Sequence, residues 1–193
     1  TDKKFYLNRM QQVIQIITDF DLPAVDKINY ATVSIIKRLL FIISQSVPFT
    51  PNIQSLAARL NTTRNTTLKA LDLLERAGLI NLLKSDTKGM SYLQKPDKIY
   101  LDNTNLAYAF LSTEPNTGNL RETFFFNQLK VKHRVTTSRF SDFFVDDQFT
   151  FEIGGSGKTE KQIRGIPLAY IAADGIKQGS ANKVPLWLFG FLY

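Results

Sequence analysis

Cysteine is absent from the 193 residues, and histidine and tryptophan occur once each. Without cysteine the chain forms no disulfide, offers no thiolate nucleophile and holds no cysteine-ligated zinc. A catalytic triad needs an imidazole, and His133 is the sole one; no second histidine stands by to complete a metal site. Long apolar runs are also missing. Spanning a bilayer takes roughly 20 uninterrupted apolar residues, and the greasiest stretch, 184–193, is too short, so it reads as a buried terminal segment. No internal repeat or low-complexity linker is visible. The chain begins at Thr1 with neither initiator Met nor signal peptide, so it is expected to be a piece of a longer, cytoplasmic, non-membrane protein.

What is present is ordinary folded-protein composition, 44% hydrophobic and 21% charged, long enough for one large domain or two small ones. The formal charge of +7 is unevenly spread. Residues 1–28 balance, with four cations and four acids; residues 29–102 carry ten cations against five acids; residues 103–193 carry ten against eight. A basic excess of this kind attracts phosphate backbones by counterion release.

That excess coincides with the strongest local pattern, IQSLAARLNTTRNTTLKALDLLERAGLINLL over residues 53–83. It predicts a helix from Ile53 to Leu60 capped by Thr50, a turn at 61–63, and a second helix from Arg64 to Ala77 with Leu68, Leu71 and Leu74 inward. Gly78 follows where a left-handed stop is needed. Upstream, apolar spacing predicts a helix over 3–20 ended by Pro23, then a helix over 33–44 capped by Asn29 or Thr32. Downstream, Leu79–Leu83 and Tyr92–Gln94 read as a hairpin around Ser85–Gly89, the wing of a winged helix-turn-helix, with Ile99–Leu101 as a third strand. In that geometry the second helix enters the major groove N-terminus first. Thr63, Arg64, Asn65, Thr66 and Lys69 are then the DNA-binding candidates, with Lys84 and Lys88 on the wing. Arg and Asn pair with base edges, while Thr and Lys serve phosphates. The same scaffold also docks proteins, so an interaction module without nucleic acid is the competing reading.

Beyond residue 102 the pattern becomes α/β. Helices are predicted over 103–111 and 119–132, the latter with Leu120, Phe124 and Leu129 on one side. Strands are predicted over 134–138, 142–145, 149–153 and 169–173, with Asp146-Asp147 turning between two of them. Phe124, Phe125, Phe126 and Trp187 read as core. Gly155-Ser156-Gly157-Lys158-Thr159 mimics the end of a phosphate-binding loop, but Glu152 stands where the first glycine belongs, which excludes ATP binding there. Glu122, Asp142 and Glu152 are the acids that a divalent metal in a phosphodiesterase would require.

The segments LLERAGLINLL, KIYLDNTNLAYAFL, NLRETFFFNQL, SDFFVDDQFTFEIGG and KVPLWLFGFLY together resemble the C-terminal region of bacterial and archaeal AAA-type ATPases. In that family an ATPase domain precedes a winged helix and then a domain of restriction-endonuclease-like fold. The resemblance implies an α+β chain in three parts: 1–28, a helical remnant of the upstream ATPase; 29–102, the winged helix; 103–193, the endonuclease-like domain. It further implies duplex DNA as partner, ATP bound only by the missing ATPase domain, no cofactor in this chain, and Mg²⁺ only if the nuclease site is active. Matched residue by residue, Glu122 is the helix glutamate, Asp142 the strand aspartate and Glu152 the acid of a Glu-x-Lys element; Asp142 and Glu152 would hold the metal. The lysine of that element falls on Gly154, so the site reads as degenerate, with Lys158 in the same loop as a stand-in. The resemblance makes this fragment a recognition element rather than a catalyst, with a metal-dependent DNA nuclease as the alternative.

Overall fold

The longest helices form where apolar residues recur every three or four positions behind a side chain able to cap the first turn. The computed structural model describes residues 2–46, 48–85, 95–110 and 114–192, and within them seven α-helices and two β-sheets give a mixed α+β architecture. The chain divides into two compact units, Thr1–Leu82 with Gly89–Pro115, and Leu83–Lys88 with Asn116–Tyr193.

In the first unit, α1 (Lys3–Ile16) does not stop at Pro23. A π-turn, Ile17–Asp21, carries it into α2 (Leu22–Asp26), with the Leu22 N–H donating back to the Ile17 carbonyl. Thr18 Oγ1 donates to the Ile14 and Gln15 carbonyls at 3.0 and 3.2 Å. The π-turn places Pro23 in the first turn of α2, where a missing N–H costs little, so the chain stays helical past the proline rather than ending before it. Lys27, left-handed at φ 49°, then closes α2.

Helix α3 (Tyr30–Ser44) begins at Asn29, whose Oδ1 accepts the Thr32 N–H at 2.9 Å. Its buried residues Ile36, Leu39, Leu40 and Ile43 follow the i, i+3, i+4, i+7 pattern of one helix face. This face packs on α5 (Arg64–Arg76) and α6 (Thr104–Phe110). Burial of each such side chain contributes about 1.5–3 kcal/mol. The cap of α4 (Ile53–Arg59) is Asn52, not Thr50: Asn52 Oδ1 accepts the Ser55 N–H at 3.0 Å. Asn outranks Thr as a cap, and it sits directly before the first helical residue. Gly78 follows α5 at φ 67°, the left-handed stop that its position predicts. Strand β1 (Ile80–Leu83) pairs with β2 (Lys98–Leu101), and Phe49 adds an antiparallel bridge to Ile99. The proposed strand 92–94 and wing residues 86–89 lie outside the described residues.

In the second unit, α7 (Thr117–Leu129) is capped by Asn116. Its buried stripe is Phe125, Phe126 and Leu129 rather than Leu120, Phe124 and Leu129. Strands β3 (Val135–Thr137), β4 (Phe143–Val145), β5 (Phe149–Gly154), β6 (Ala169–Ala173) and β7 (Lys183–Pro185) form one sheet in chain order, antiparallel through β5 and parallel from there. Asp146 and Asp147, both with φ above +50°, turn β4 into β5 at the centre of a turn closed by the Gln148 N–H donating to the Val145 carbonyl at 3.1 Å. They lie within the three-residue connection 146–148 that the Val145–Phe149 pairing leaves. On one face Phe125 meets Phe143, Phe151 and Phe189, with ring centroids 5.2, 5.0 and 4.8 Å away. On the other, Ile163, Ala169, Ile171 and Ala173 form a second core. The terminal run is not buried throughout. Leu186 and Phe189 are, but Trp187 is 51% and Phe191 76% exposed. The 3₁₀ turn over Leu186–Phe191 repeats every three residues, so only positions three apart face the core.

Candidate functional site

Helices α4 and α5 are joined by a short turn in which Asn61 is left-handed at φ 52° and the Thr62 N–H donates to the Ala57 carbonyl at 2.9 Å. Arg38 closes the end of α4, its Nη2 donating to the Arg59 carbonyl at 2.9 Å. A guanidinium at a helix C-terminus satisfies orphan carbonyls and complements the dipole. Sequence spacing hid this residue, because it lies on α3, 21 positions away.

Thr63 caps α5. Its Oγ1 accepts the Thr66 N–H at 3.1 Å and lies 2.9 Å from Thr66 Oγ1. The two threonines therefore engage each other, Thr63 exposed and Thr66 half-buried, while Arg64, Asn65 and Lys69 stand exposed around them. The positive end of the helix macrodipole adds to the cations at this end. Alongside runs a groove of about 510 Å³ lined in part by Asn65, Lys69, Asp72 and Arg76 from α5 and by Asp26 from α2. Arg76 Nη1 lies 3.3 Å from Asp26 Oδ1 and 3.9 Å from Asp72 Oδ2. Asp72 and Arg76 meet because they stand four apart on one helix, whereas Asp26 lies 50 residues from Arg76 in sequence and is brought to it by the fold. Lys84 is half-buried and belongs to the second unit, where its carbonyl accepts the Thr137 N–H at 3.3 Å. Lys88 lies outside the described residues.

The three acids sit on different elements of the second unit. Glu122, half-buried, is one turn before Phe125 and Phe126 on α7. Asp142 precedes β4, and its Oδ2 accepts the Ile153 N–H at 2.8 Å. Glu152, opposite Ile171 in the sheet register, is 2% exposed. Its Oε2 accepts from Ser141 Oγ at 2.5 Å, and its Oε1 pairs with the Lys158 ammonium. Among the described residues no three histidine, aspartate or glutamate side chains gather as a group able to hold a metal ion. Both Glu152 oxygens are engaged by protein donors, Oε2 by the Ser141 hydroxyl and Oε1 by the Lys158 ammonium.

His133 has a partner that its neighbours in sequence did not disclose. Its Nδ1 lies 2.7 Å from Asp146 Oδ2, and the Arg134 N–H donates to Asp146 Oδ1 at 2.9 Å. The His133 hydrogen bond, aided by the Arg134 N–H and by the imidazole's charge against a smaller opposing effect of burial, holds the Asp146 carboxyl below the usual carboxylate range.

No helix among the described residues is long and apolar enough to cross a membrane. No curated protein and no solved structure matches the chain. One family model does, over residues 1–117, which takes in the helices, β1 and β2 of the first unit. With that match extending over more than half its length, the chain belongs to the family described as Domain of unknown function (DUF8612).

Proposed function

We propose that the chain is a duplex-DNA recognition element that reads DNA through the N-terminal half of α5. The observation that carries this reading is the joint exposure of Arg64, Asn65 and Lys69 at the start of a helix held by a tight turn against α4. An arginine and an asparagine there suit guanine and adenine edges, and the lysine suits a phosphate. The order of helix, bridging residue Phe49, helix, turn, helix and paired strands is compatible with a winged helix and so supports the same reading. On the sequence resemblance alone, the element serves an upstream AAA-type ATPase and is followed in the chain by a degenerate endonuclease-like domain.

The test is a salt-titrated gel shift on duplex DNA. Arg64→Ala combined with Lys69→Ala weakens binding by at least about tenfold and flattens the salt dependence, by roughly 0.9 in log–log slope for each phosphate left without its cation. Unchanged affinity in the double variant overturns the proposal and leaves a protein-docking role for the helix pair.

A second reading, metal-dependent phosphodiester hydrolysis, is favoured by one observation: Lys158 reaches Glu152 although residue 154, where the Glu-x-Lys lysine belongs, is glycine. Plasmid cleavage in Mg²⁺ or Mn²⁺ that Asp142→Ala abolishes would establish it; an intact plasmid rejects it.

A further inference from the structure

We propose that Asp26 and Asp72 compete with nucleic-acid phosphate for Arg76, so that the segment before the helix pair sets the affinity and salt response of the α5 surface. The inference rests on the DNA-binding reading above.

Asn65, Lys69, Asp72 and Arg76 follow i, i+4, i+7, i+11 spacing and so share one face of α5. The face begins with a polar amide and an exposed cation and ends with a cation clamped by acids. One acid, Asp72, is local. The other arrives from the last residue of α2, delivered by the left-handed reversal at Lys27. Arg76 remains 47% exposed while it holds Asp26, so a phosphate can reach the guanidinium from solvent. The second oxygen of Asp26, Oδ2, is enclosed and has no hydrogen-bond partner among the described residues. The carboxylate is therefore satisfied on one side only, through Arg76.

Asp26 and Asp72 both meet Arg76 through Nη1, whereas phosphate offers the same half-exposed fork a bidentate partner of higher charge. Arg76 is thus a reserve cation: a phosphate that approaches it competes with Asp26 and Asp72 for the same guanidinium. While it stays, Asp26 and Asp72 repel a phosphate tracking along the groove past Lys69. Residues 1–28, which carry no net charge, act on binding through this one aspartate.

The experiment compares wild type, Asp26→Asn, Arg76→Ala and the double variant on one duplex across a salt series. Asp26→Asn is expected to bind about fivefold tighter at low salt, the ratio the stronger exposed ion pairs are worth. Its salt slope steepens by roughly 0.9 as one more phosphate is engaged. Arg76→Ala abolishes that gain. Asp26→Ala, which cannot hydrogen-bond Arg76, reproduces it. Equal affinity of Asp26→Asn and wild type, with Arg64→Ala still damaging, overturns this inference and leaves the DNA reading standing. A gain that persists in the Arg76→Ala background also overturns it, since the effect is then general charge and not release of Arg76. Absence of binding by wild type and Asp26→Asn alike overturns both.

Discussion

Lys158 reaches Glu152 by folding back over Gly154. A β-carbon built on Gly154 would lie 2.8 Å from both Cβ and Cγ of Lys158 and 2.9 Å from Cδ. The missing side chain is therefore the path along which the lysine stem crosses the end of β5 to a carboxylate held inside an apolar sheet face. Such a carboxylate persists as an ion only with close partners, and here they are the ammonium and the Ser141 hydroxyl.

Removing the ammonium leaves Glu152 buried with one hydrogen-bond donor from a side chain. Breaking a fully buried pair costs about 3–5 kcal/mol; with Lys158 about one-third exposed, Lys158→Met is expected to cost about 2 kcal/mol. Gly154→Ala displaces the stem and so breaks the same ion pair. Methionine keeps the Cβ and Cγ that the new methyl meets, so in the Lys158→Met background the steric cost persists while the ion pair is already lost. The double variant therefore loses less than the sum of the singles. Urea unfolding of the two single variants and the double measures this. Fully additive losses would show that Gly154 has a separate role.

Acid should act at the β4–β5 turn in a stated direction. The folded-state carboxyl of Asp146 titrates below its unfolded value, so its contribution is fully present above the unfolded value, about pH 4. It is lost as pH falls through the lower folded value. The melting-temperature gap between wild type and Asp146→Asn therefore closes as pH falls below about 4. Asparagine tolerates the left-handed backbone that residue 146 requires, so the variant isolates the charge. The gap is small, because the pair is substantially exposed. His133→Ala should remove most of its pH dependence, and a gap that widens in acid contradicts the assignment.

Thr63 is a helix cap before it is a DNA contact. Thr63→Ala is expected to lose about 1 kcal/mol of stability, and Thr63→Ser to restore it. Chemical denaturation of the three proteins reads the effect directly. Duplex affinity in Thr63→Ala, measured where the protein is fully folded, should change far less than in Arg64→Ala. The reverse ranking would move the principal contact from the arginine to the cap.

Much of the local structure was legible because it depends on neighbours within one or two turns. The cap at Asn29, the inward Leu68, Leu71 and Leu74, the stop at Gly78 and the turn at Asp146-Asp147 each follow from periodicity or backbone preference over a few residues. Errors arose where two local rules competed: Pro23 against a π-turn, Thr50 against Asn52, and uniform apolarity against the three-residue repeat of the terminal 3₁₀ turn.

The sequence alone determined that this chain is a thiol-free, basic α+β protein with a helix pair whose second member opens on Arg64 and Asn65. Those properties are composition and short-range pattern, and no tertiary contact is needed to set them. Only the tertiary structure decided that Asp26 meets Arg76, that His133 meets Asp146, and that Glu152 is spoken for by Lys158 and Ser141. The reason is physical: ion pairs between distant positions depend on where packed apolar faces bring the backbone, and that packing leaves no periodic trace in the charged residues it brings together.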